Sequence, residues 1–199
     1  KYYKGLGTST ANEAKEYFKD MEKHKIEYEY AKKTEETIKL AFQKDLSNKR
    51  KEWIQDTLRK EKEEGGSSIL DDTKGKVKYE DFVNKELVHF SIYDNVRSIP
   101  SMIDGLKPSQ RKVLYATRKR TNTEIKVSQL SGYVSVESAY HHGEASLQQT
   151  IIGMAQNFVG TGWYNLLEPI GQFGTRLMGG KDHASPRYIF TQLSEYASI

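Results

Sequence analysis

Hydrophobic residues in the first third of the chain recur every three or four positions, which is the spacing of amphipathic helices. This spacing predicts helices over residues 9–24, 34–42 and 46–64, and Thr8 or Ser9 can cap the first of them. The apolar stripes of these helices are formed by Ala14, Tyr17, Phe18 and Met21, then by Ile38 and Phe42, and then by Trp53, Ile54 and Leu58.

A stretch of small residues separates these helices from the rest of the chain. Gly65-Gly66-Ser67-Ser68 has no apolar pattern and is typical of a linker, so residues 65–76 are predicted to be a flexible linker or an insertion. The sequence therefore predicts a domain boundary here, between a helical segment at 1–64 and a second domain at 77–199.

The second domain is predicted to begin with two more helices. The first covers residues 79–93, and its predicted buried side is formed by Phe82, Val83, Leu87 and Phe90. The second begins at Pro108, because proline suits the first turn of a helix, and it runs to about residue 120 with Val113 and Leu114 inward.

The remaining pattern predicts a winged helix. Helices over 126–134 and 144–158 are joined by a polar turn, which is the outline of a helix-turn-helix. Three short extended pieces between glycines follow, at 164–167, 171–174 and 175–177, and they predict a small β-wing. The predicted fold class is therefore α+β, mainly helical, with a winged-helix domain after a helical segment.

Positive charge is concentrated in one part of the chain. The net charge is only +4, and residues 1–64 are nearly neutral with 16 basic and 14 acidic side chains. Residues 97–126 hold eight basic side chains and two acidic ones. A local excess of this size favours a polyanionic partner, and a solvated helix face is the competing account.

Several kinds of chemistry are excluded by the residues present. There is no cysteine, so disulfides and thiolate metal sites are ruled out. No apolar run is long enough to cross a bilayer, and no Walker loop, dinucleotide motif or nucleophilic-serine elbow occurs. Adjacent His141 and His142 lack a third ligand at metal spacing, so a contact to phosphate, or the orientation of a neighbouring group, is favoured over a metal site.

Residues 179–191 contain the strongest candidate for chemistry. A glycine pair there permits a close backbone approach, and Pro186 fixes φ just before Arg187 and Tyr188. Phenols ionise near pH 10, so a phenol attacks only when cations stabilise the phenolate and hold an anionic electrophile in line. Local chemistry leaves a second hypothesis open, a core tyrosine in the first turn of an amphipathic helix.

Seven motifs run through the chain in order. They are Tyr2-Tyr3-Lys4-Gly5-Leu6-Gly7-Thr8-Ser9, Arg97-Ser98-Ile99-Pro100, Asp104-Gly105-Leu106-Lys107-Pro108 with Gln110-Arg111-Lys112, Ala139-Tyr140-His141-His142-Gly143-Glu144, Ala155-Gln156-Asn157-Phe158-Val159-Gly160, Gly171-Gln172-Phe173-Gly174-Thr175-Arg176, and residues 179–191. Together these motifs resemble eukaryotic DNA topoisomerase II, and their forms at 157–160 and 174–176 are less similar to bacterial gyrase.

The resemblance implies a fold and a catalytic site. Residues 1–64 would be the end of a metal-binding TOPRIM domain with a helical linker, and 77–199 a winged-helix (CAP-like) DNA-gate domain, truncated at its C-terminal side. Tyr188 would attack a DNA phosphodiester and form a 5′-phosphotyrosyl enzyme. Arg187 would stabilise the transition-state charge, and His142 would lie near the scissile phosphate.

The resemblance also implies contacts to DNA and to drugs. The implied DNA-binding residues are Lys4, Arg97, Lys107, Arg111, Lys112, His141, Gln149 and Lys181. The helix over 144–158 would lie against the DNA. Poisons of the cleavage complex would stack near the start of that helix, at Ala145, Gln148 and Gln149.

Cofactors and partners are implied in the same way. An ATP-hydrolysing type II topoisomerase would use Mg²⁺, with ligands upstream of residue 1, and ATP in the full-length protein. Its partners would be double-stranded DNA and a second copy of itself, without a membrane, in the nucleus. The chain is expected to be a fragment, and residues 59–76 match no family motif. A non-catalytic winged-helix DNA-binding module with a structural tyrosine is the alternative.

Overall fold

The chain divides between Asn95 and Val96 into two units. The computed structural model describes residues 9–73, 75–120, 123–162 and 164–198. The elements up to residue 98 are helices α1 (Ala11–Lys19) and α2 (Met21–His24), strand β1 (Glu27–Glu29), helix α3 (Thr34–Phe42), a 3₁₀ turn (Lys44–Leu46), helix α4 (Ser47–Glu64), strand β2 (Lys76–Lys78), helix α5 (Tyr79–Phe82), a π-helical turn (Val83–Leu87) and helix α6 (Val88–Ser98).

Helices α3 and α4 lie where the hydrophobic spacing predicts them, whereas the helix predicted over 9–24 is interrupted. Thr10 is the N-cap of α1, so the prediction of Ser9 was wrong, and Thr8 lies outside the described residues. The Thr10 hydroxyl accepts a hydrogen bond from the Glu13 amide (3.3 Å), and the Glu13 carboxylate accepts one from the Thr10 amide (2.7 Å). The helical pattern breaks at Asp20, which leaves α2 as a separate short turn.

The first unit extends beyond the predicted boundary at residues 65–76. Strand β2 pairs in parallel with β1, in a register that places Val77 opposite Tyr28. The Tyr28 ring also packs against the rings of Tyr79 and Phe82, at centroid distances of 5.1 and 5.5 Å. The residues that follow the linker therefore complete the first unit, and the units divide at residues 95/96 instead of at the linker.

A π-helical turn changes which side chains of the predicted 79–93 helix are buried. The turn over Val83–Leu87 inserts one extra residue into the helical repeat and rotates the following helix. Val88 is consequently fully buried, whereas Phe90 is 57% exposed. The prediction that Phe90 is buried was wrong for this reason.

The second unit contains the predicted helix-turn-helix. Its elements after α6 are helix α7 (Pro108–Arg118), strand β3 (Ile125–Lys126), helices α8 (Val127–Glu137) and α9 (Glu144–Ala155), strand β4 (Phe190–Thr191) and the short helix α10 (Glu195–Ser198). Helices α7, α8 and α9 pack on one core, to which Val113, Leu130, Leu147 and Ile151 contribute fully buried side chains. The predicted α+β, mainly helical fold is confirmed.

The wing is assembled from segments that are distant in sequence. Strands β3 and β4 pair antiparallel, with Ile125 opposite Thr191, and bridges join Leu167 to Leu193 and Ile170 to Phe190. Of the three predicted wing pieces, only 164–167 takes part in this pairing. Residues 171–177 form no strand, because Gly171 and Gly174 have positive φ angles of 110° and 92° and turn the chain.

Candidate functional site

Tyr188 lies in a turn immediately before β4, and its side chain is 75% exposed. The carbonyls on either side of it accept hydrogen bonds from the first amides of α8, Pro186 O from Ser128 N (3.0 Å) and Ile189 O from Val127 N (3.1 Å). These amides have no partner within their own helix, so the turn caps α8 and is held by it. Tyr188 is therefore neither helical nor in the core, and the core-tyrosine hypothesis was wrong.

The segment before Tyr188 folds back on itself, and the close contacts occur at two of its glycines. Gly180 has a φ of +78°, and the space that its Cβ would fill is taken by the Gln156 amide. A Cβ on Gly174 would lie 2.6 Å from the Gly180 Cα. The close backbone approach predicted for the glycine pair is thus confirmed at Gly180, whereas no atom lies within 4 Å of a Cβ placed on Gly179.

We expect Gly180→Ala to destabilise the protein more than Gly179→Ala. Both glycines have positive φ, so either alanine costs about 1 kcal/mol of backbone strain. Only the Gly180 variant adds overpacking against Gln156, at a further cost of about 1–3 kcal/mol. Urea unfolding of the two variants measures the difference, and equal midpoints would contradict the close packing described for Gly180.

Asp182 braces the same segment. Its two carboxylate oxygens accept hydrogen bonds from the amide and the hydroxyl of Thr175, each at 2.8 Å. The bond from the Thr175 amide is the main reason why the pKa of Asp182 is lowered.

The Thr175 amide resonance is expected to titrate with a midpoint below the ordinary aspartate value of 3.8. Folding lowers the pKa of Asp182. The hydrogen bonds from Thr175 are therefore fully present when the pH is above the ordinary pKa of aspartate, and they are lost as the pH falls through the lowered pKa. NMR titration of the chain measures the midpoint, and Asp182→Asn should remove the transition. A midpoint at or above 3.8 would contradict the brace.

Two glutamines of α9 contact the segment that precedes the tyrosine. Gln149 Nε2 lies 3.1 Å from His183 Nε2. Gln156 Nε2 donates to the carbonyl oxygens of Phe173 (2.9 Å) and Gly180 (3.1 Å). Helix α9, which is predicted to lie against DNA, is thereby joined to the segment that leads to Tyr188.

The two histidines lie on the turn between α8 and α9. Their ring centroids are 4.3 Å apart with an interplanar angle of 38°, so the two rings are in contact. Just before them Ala139 has a φ of 48°, a left-handed value that is strained for alanine. The Lys112 ammonium lies 3.5 Å from the Ala139 carbonyl oxygen, so α7 contacts the turn that carries the histidines.

Arg111 contacts a carboxylate in this structure. Its guanidinium donates to both oxygens of Asp104 at 2.8–3.0 Å, and the Asp104 carboxylate also accepts from the Leu106 amide at 2.9 Å. These bonds, the one from Leu106 first, lower the pKa of Asp104. The Arg111–Asp104 pair fixes the conformation of the loop before α7. In the same loop, the side-chain oxygen of Gln110 accepts a hydrogen bond from the Lys107 amide at 2.8 Å.

The remaining predicted site residues fall into three groups. Arg97, Lys181 and Arg187 are exposed, as is Ala145 in the first turn of α9. Gln148 is half-buried and donates to Glu144 (2.8 Å) on its own helix. Lys4 lies outside the described residues.

The sequence did not identify the side chains that position the candidate site. Asp104, Gln156, Asp182 and His183 hold loops through the bonds described above. One signal was available, because Gln149 and Gln156 are seven residues apart and so share a helix face. Within the described part of the chain, no group of three His, Asp or Glu could hold a metal ion, and no helix is long and apolar enough to span a membrane.

Fold and site together define a winged-helix protein that displays a tyrosine just before a strand of its wing. The family model for the A-type subunit of DNA gyrase/topoisomerase IV matches residues 97–199, and the model for the C-terminal associated domain of TOPRIM matches residues 1–95. The chain belongs to this family, the type II DNA topoisomerases. The resemblance carried by its motifs is confirmed.

Relatives match almost the whole chain. DNA topoisomerase 2, mitochondrial, of Dictyostelium discoideum is 56% identical over 99% of the chain, and human DNA topoisomerase 2-alpha is 54% identical over 100%. The chain spans only 15% and 14% of the lengths of these two proteins. The solved DNA-binding, cleavage and re-ligation domain of Plasmodium falciparum topoisomerase II matches with a TM-score of 0.75 and 51% identity, over 99% of this chain and 26% of that one.

Proposed function

We propose that this chain is part of the DNA breakage-reunion core of an ATP-dependent type II topoisomerase. Tyr188 makes a transient 5′-phosphotyrosyl double-strand break, through which a second duplex passes to change DNA topology. The observation that carries the proposal is an exposed phenol on a turn whose flanking carbonyls are fixed to the start of α8. The family match over residues 97–199 supports it.

The reaction is a transesterification. The Tyr188 phenolic oxygen bonds to the scissile phosphorus and loses its proton, while the bond to the 3′ oxygen breaks and that oxygen leaves as a hydroxyl. One phosphodiester replaces another, so attack by the 3′ hydroxyl reverses the step without ATP. Arg187 stabilises the charge on the phosphoryl oxygens, and His142 contacts the scissile phosphate.

The DNA is held mainly through its backbone. The proposed contact residues are Lys4, Arg97, Lys107, Arg111, Lys112, His141, Gln149 and Lys181. Arg111 keeps its bond to Asp104 while its exposed edge contacts phosphate, since 48% of its side chain is exposed. Ala145, Gln148 and Gln149, near the start of α9, are the proposed positions for drugs that trap the cleaved state.

Mg²⁺ binding, ATP binding and dimerisation are proposed for the full-length protein. Among the described residues, no group of three His, Asp or Glu could hold a metal ion. As the family resemblance implies, Mg²⁺ is proposed to be bound by residues upstream of this chain, and ATP by another part of the full-length protein. A homodimer in the nucleus is the proposed working form. The Dictyostelium relative is named mitochondrial, so fractionation of cells is the test of the compartment.

Covalent linkage to DNA tests the function. The full-length protein that carries this chain is incubated with duplex DNA and Mg²⁺ and then denatured. We expect protein to remain attached to the 5′ ends of broken DNA until a protease releases it. Binding that weakens with salt and never becomes covalent would support the non-catalytic winged-helix module instead.

A further inference from the structure

Helix α9 contacts the segment over residues 180–183 at two points. Gln149 contacts His183, and Gln156 donates to the Gly180 carbonyl. Because a helix has 3.6 residues per turn, the seven-residue spacing puts both glutamines on one face, two turns apart. The contacts therefore fix both ends of the short segment along the helix.

The ring nitrogens of His183 define the first contact. Nδ1 lies 2.8 Å from the Ala184 carbonyl oxygen, which can only accept, so Nδ1 carries the proton. In neutral His183 the other nitrogen, Nε2, is then an acceptor, and it faces the amide nitrogen of Gln149 at 3.1 Å. With its amide nitrogen facing the ring, Gln149 donates to Nε2, and this orientation of the amide is complementary only to the tautomer protonated on Nδ1.

The second contact, between Gln156 and Gly180, is closely packed. Gln156 donates to Phe173 as well as to Gly180, and its amide occupies the place of a Cβ on Gly180. The Gly180 amide donates in turn to the Thr175 carbonyl at 2.9 Å. No residue other than glycine fits at position 180 without displacing Gln156.

We propose that Gln149 and Gln156 form a two-point clamp with which α9 positions residues 180–188 and hence Tyr188. This inference rests on the proposed function. Gln149, which is also a proposed DNA contact, and Gln156 act in this clamp as positioning residues, which keep the phenol aligned with a phosphate on DNA that lies against α9. Alignment of the attacking atom is a large part of catalysis, so a loosened clamp slows cleavage without weakening DNA binding to the same extent.

Imidazole nitrogen NMR of the 199-residue chain tests the geometry without any activity. In the neutral form of the His183 imidazole we expect a protonated Nδ1 and an unprotonated Nε2, and we expect the Nε2 resonance to shift in Gln149→Ala. Gln192→Ala is the matched control, because Gln192 donates to Glu168 (2.7 Å) and should leave His183 unchanged. A protonated Nε2 as the neutral form, or no shift in Gln149→Ala, would overturn the first contact.

Cleavage kinetics of the full-length protein test whether the clamp positions Tyr188. At saturating DNA we expect Gln149→Ala and His183→Ala each to lower the cleavage rate constant about 10-fold, and the double variant to be no slower than either. Additive losses, or losses in DNA affinity alone, would overturn the positioning role. If Tyr188 is not the nucleophile, the NMR result still stands, so failure of the clamp and failure of the proposed function are distinguishable.

Discussion

Tyr188→Phe is expected to abolish covalent attachment of the protein to DNA while leaving the fold and non-covalent DNA binding near normal. The substitution removes one oxygen from a side chain that is 75% exposed, so no core contact is lost. Loss of a covalent nucleophile should reduce cleavage by on the order of 10³-fold or more. Denaturing electrophoresis measures attachment, and filter binding at several salt concentrations measures affinity.

Tyr196→Phe is the matched control for that variant. Tyr196 belongs to the same unit, is 64% exposed and stacks on Tyr164 at a centroid distance of 5.4 Å. The Tyr196→Phe variant should retain full covalent attachment, because Tyr196 is not the proposed nucleophile and phenylalanine keeps the ring contact with Tyr164. Attachment that persists in Tyr188→Phe would show that another residue is the nucleophile.

Arg187→Ala is expected to slow cleavage by about 10²–10³-fold, the scale seen when one group that stabilises developing charge is removed. The side chain is exposed and adjoins Tyr188 in the same turn, so the free energy of unfolding should change little. Arg187→Lys should recover only part of the rate, since an ammonium cannot donate two parallel hydrogen bonds to a phosphoryl group. Single-turnover cleavage at saturating DNA measures the rate constant.

A matched arginine separates this effect from general loss of charge. Arg176 lies in the same unit and is also exposed. Arg176→Ala removes the same charge and should change the cleavage rate constant less than about threefold. Equal losses in the two variants would assign the effect of Arg187 to the overall field of the protein.

The helices could be predicted from the sequence because their signals are local. Apolar residues at helical spacing and a proline at the first turn placed α3, α4 and α7 within one or two residues. The wing could not be predicted as well, because β3 and β4 pair across more than sixty residues. Likewise, the linker after α4 has the composition of a domain boundary, but β2, which follows it, pairs with β1, which precedes it.

The candidate chemistry was predictable only in part, for a similar reason. Arg187 and Tyr188 stand together in a recognisable motif, so they could be selected by sequence and resemblance. Their support comes from backbone carbonyls and from α9, through contacts between residues more than twenty positions apart. Residue type alone also did not reveal that Arg111 has a carboxylate partner in Asp104.

Peptide mapping of the trapped protein–DNA complex identifies the residue that attacks the DNA. After cleavage, denaturation and digestion with nuclease and protease, mass spectrometry identifies the residue that retains a nucleotide through a 5′ phosphate. The predicted result is a single modified peptide with the added mass on Tyr188. A nucleotide on any other residue, or covalent complex without a modified Tyr188, would show that Tyr188 is not the nucleophile.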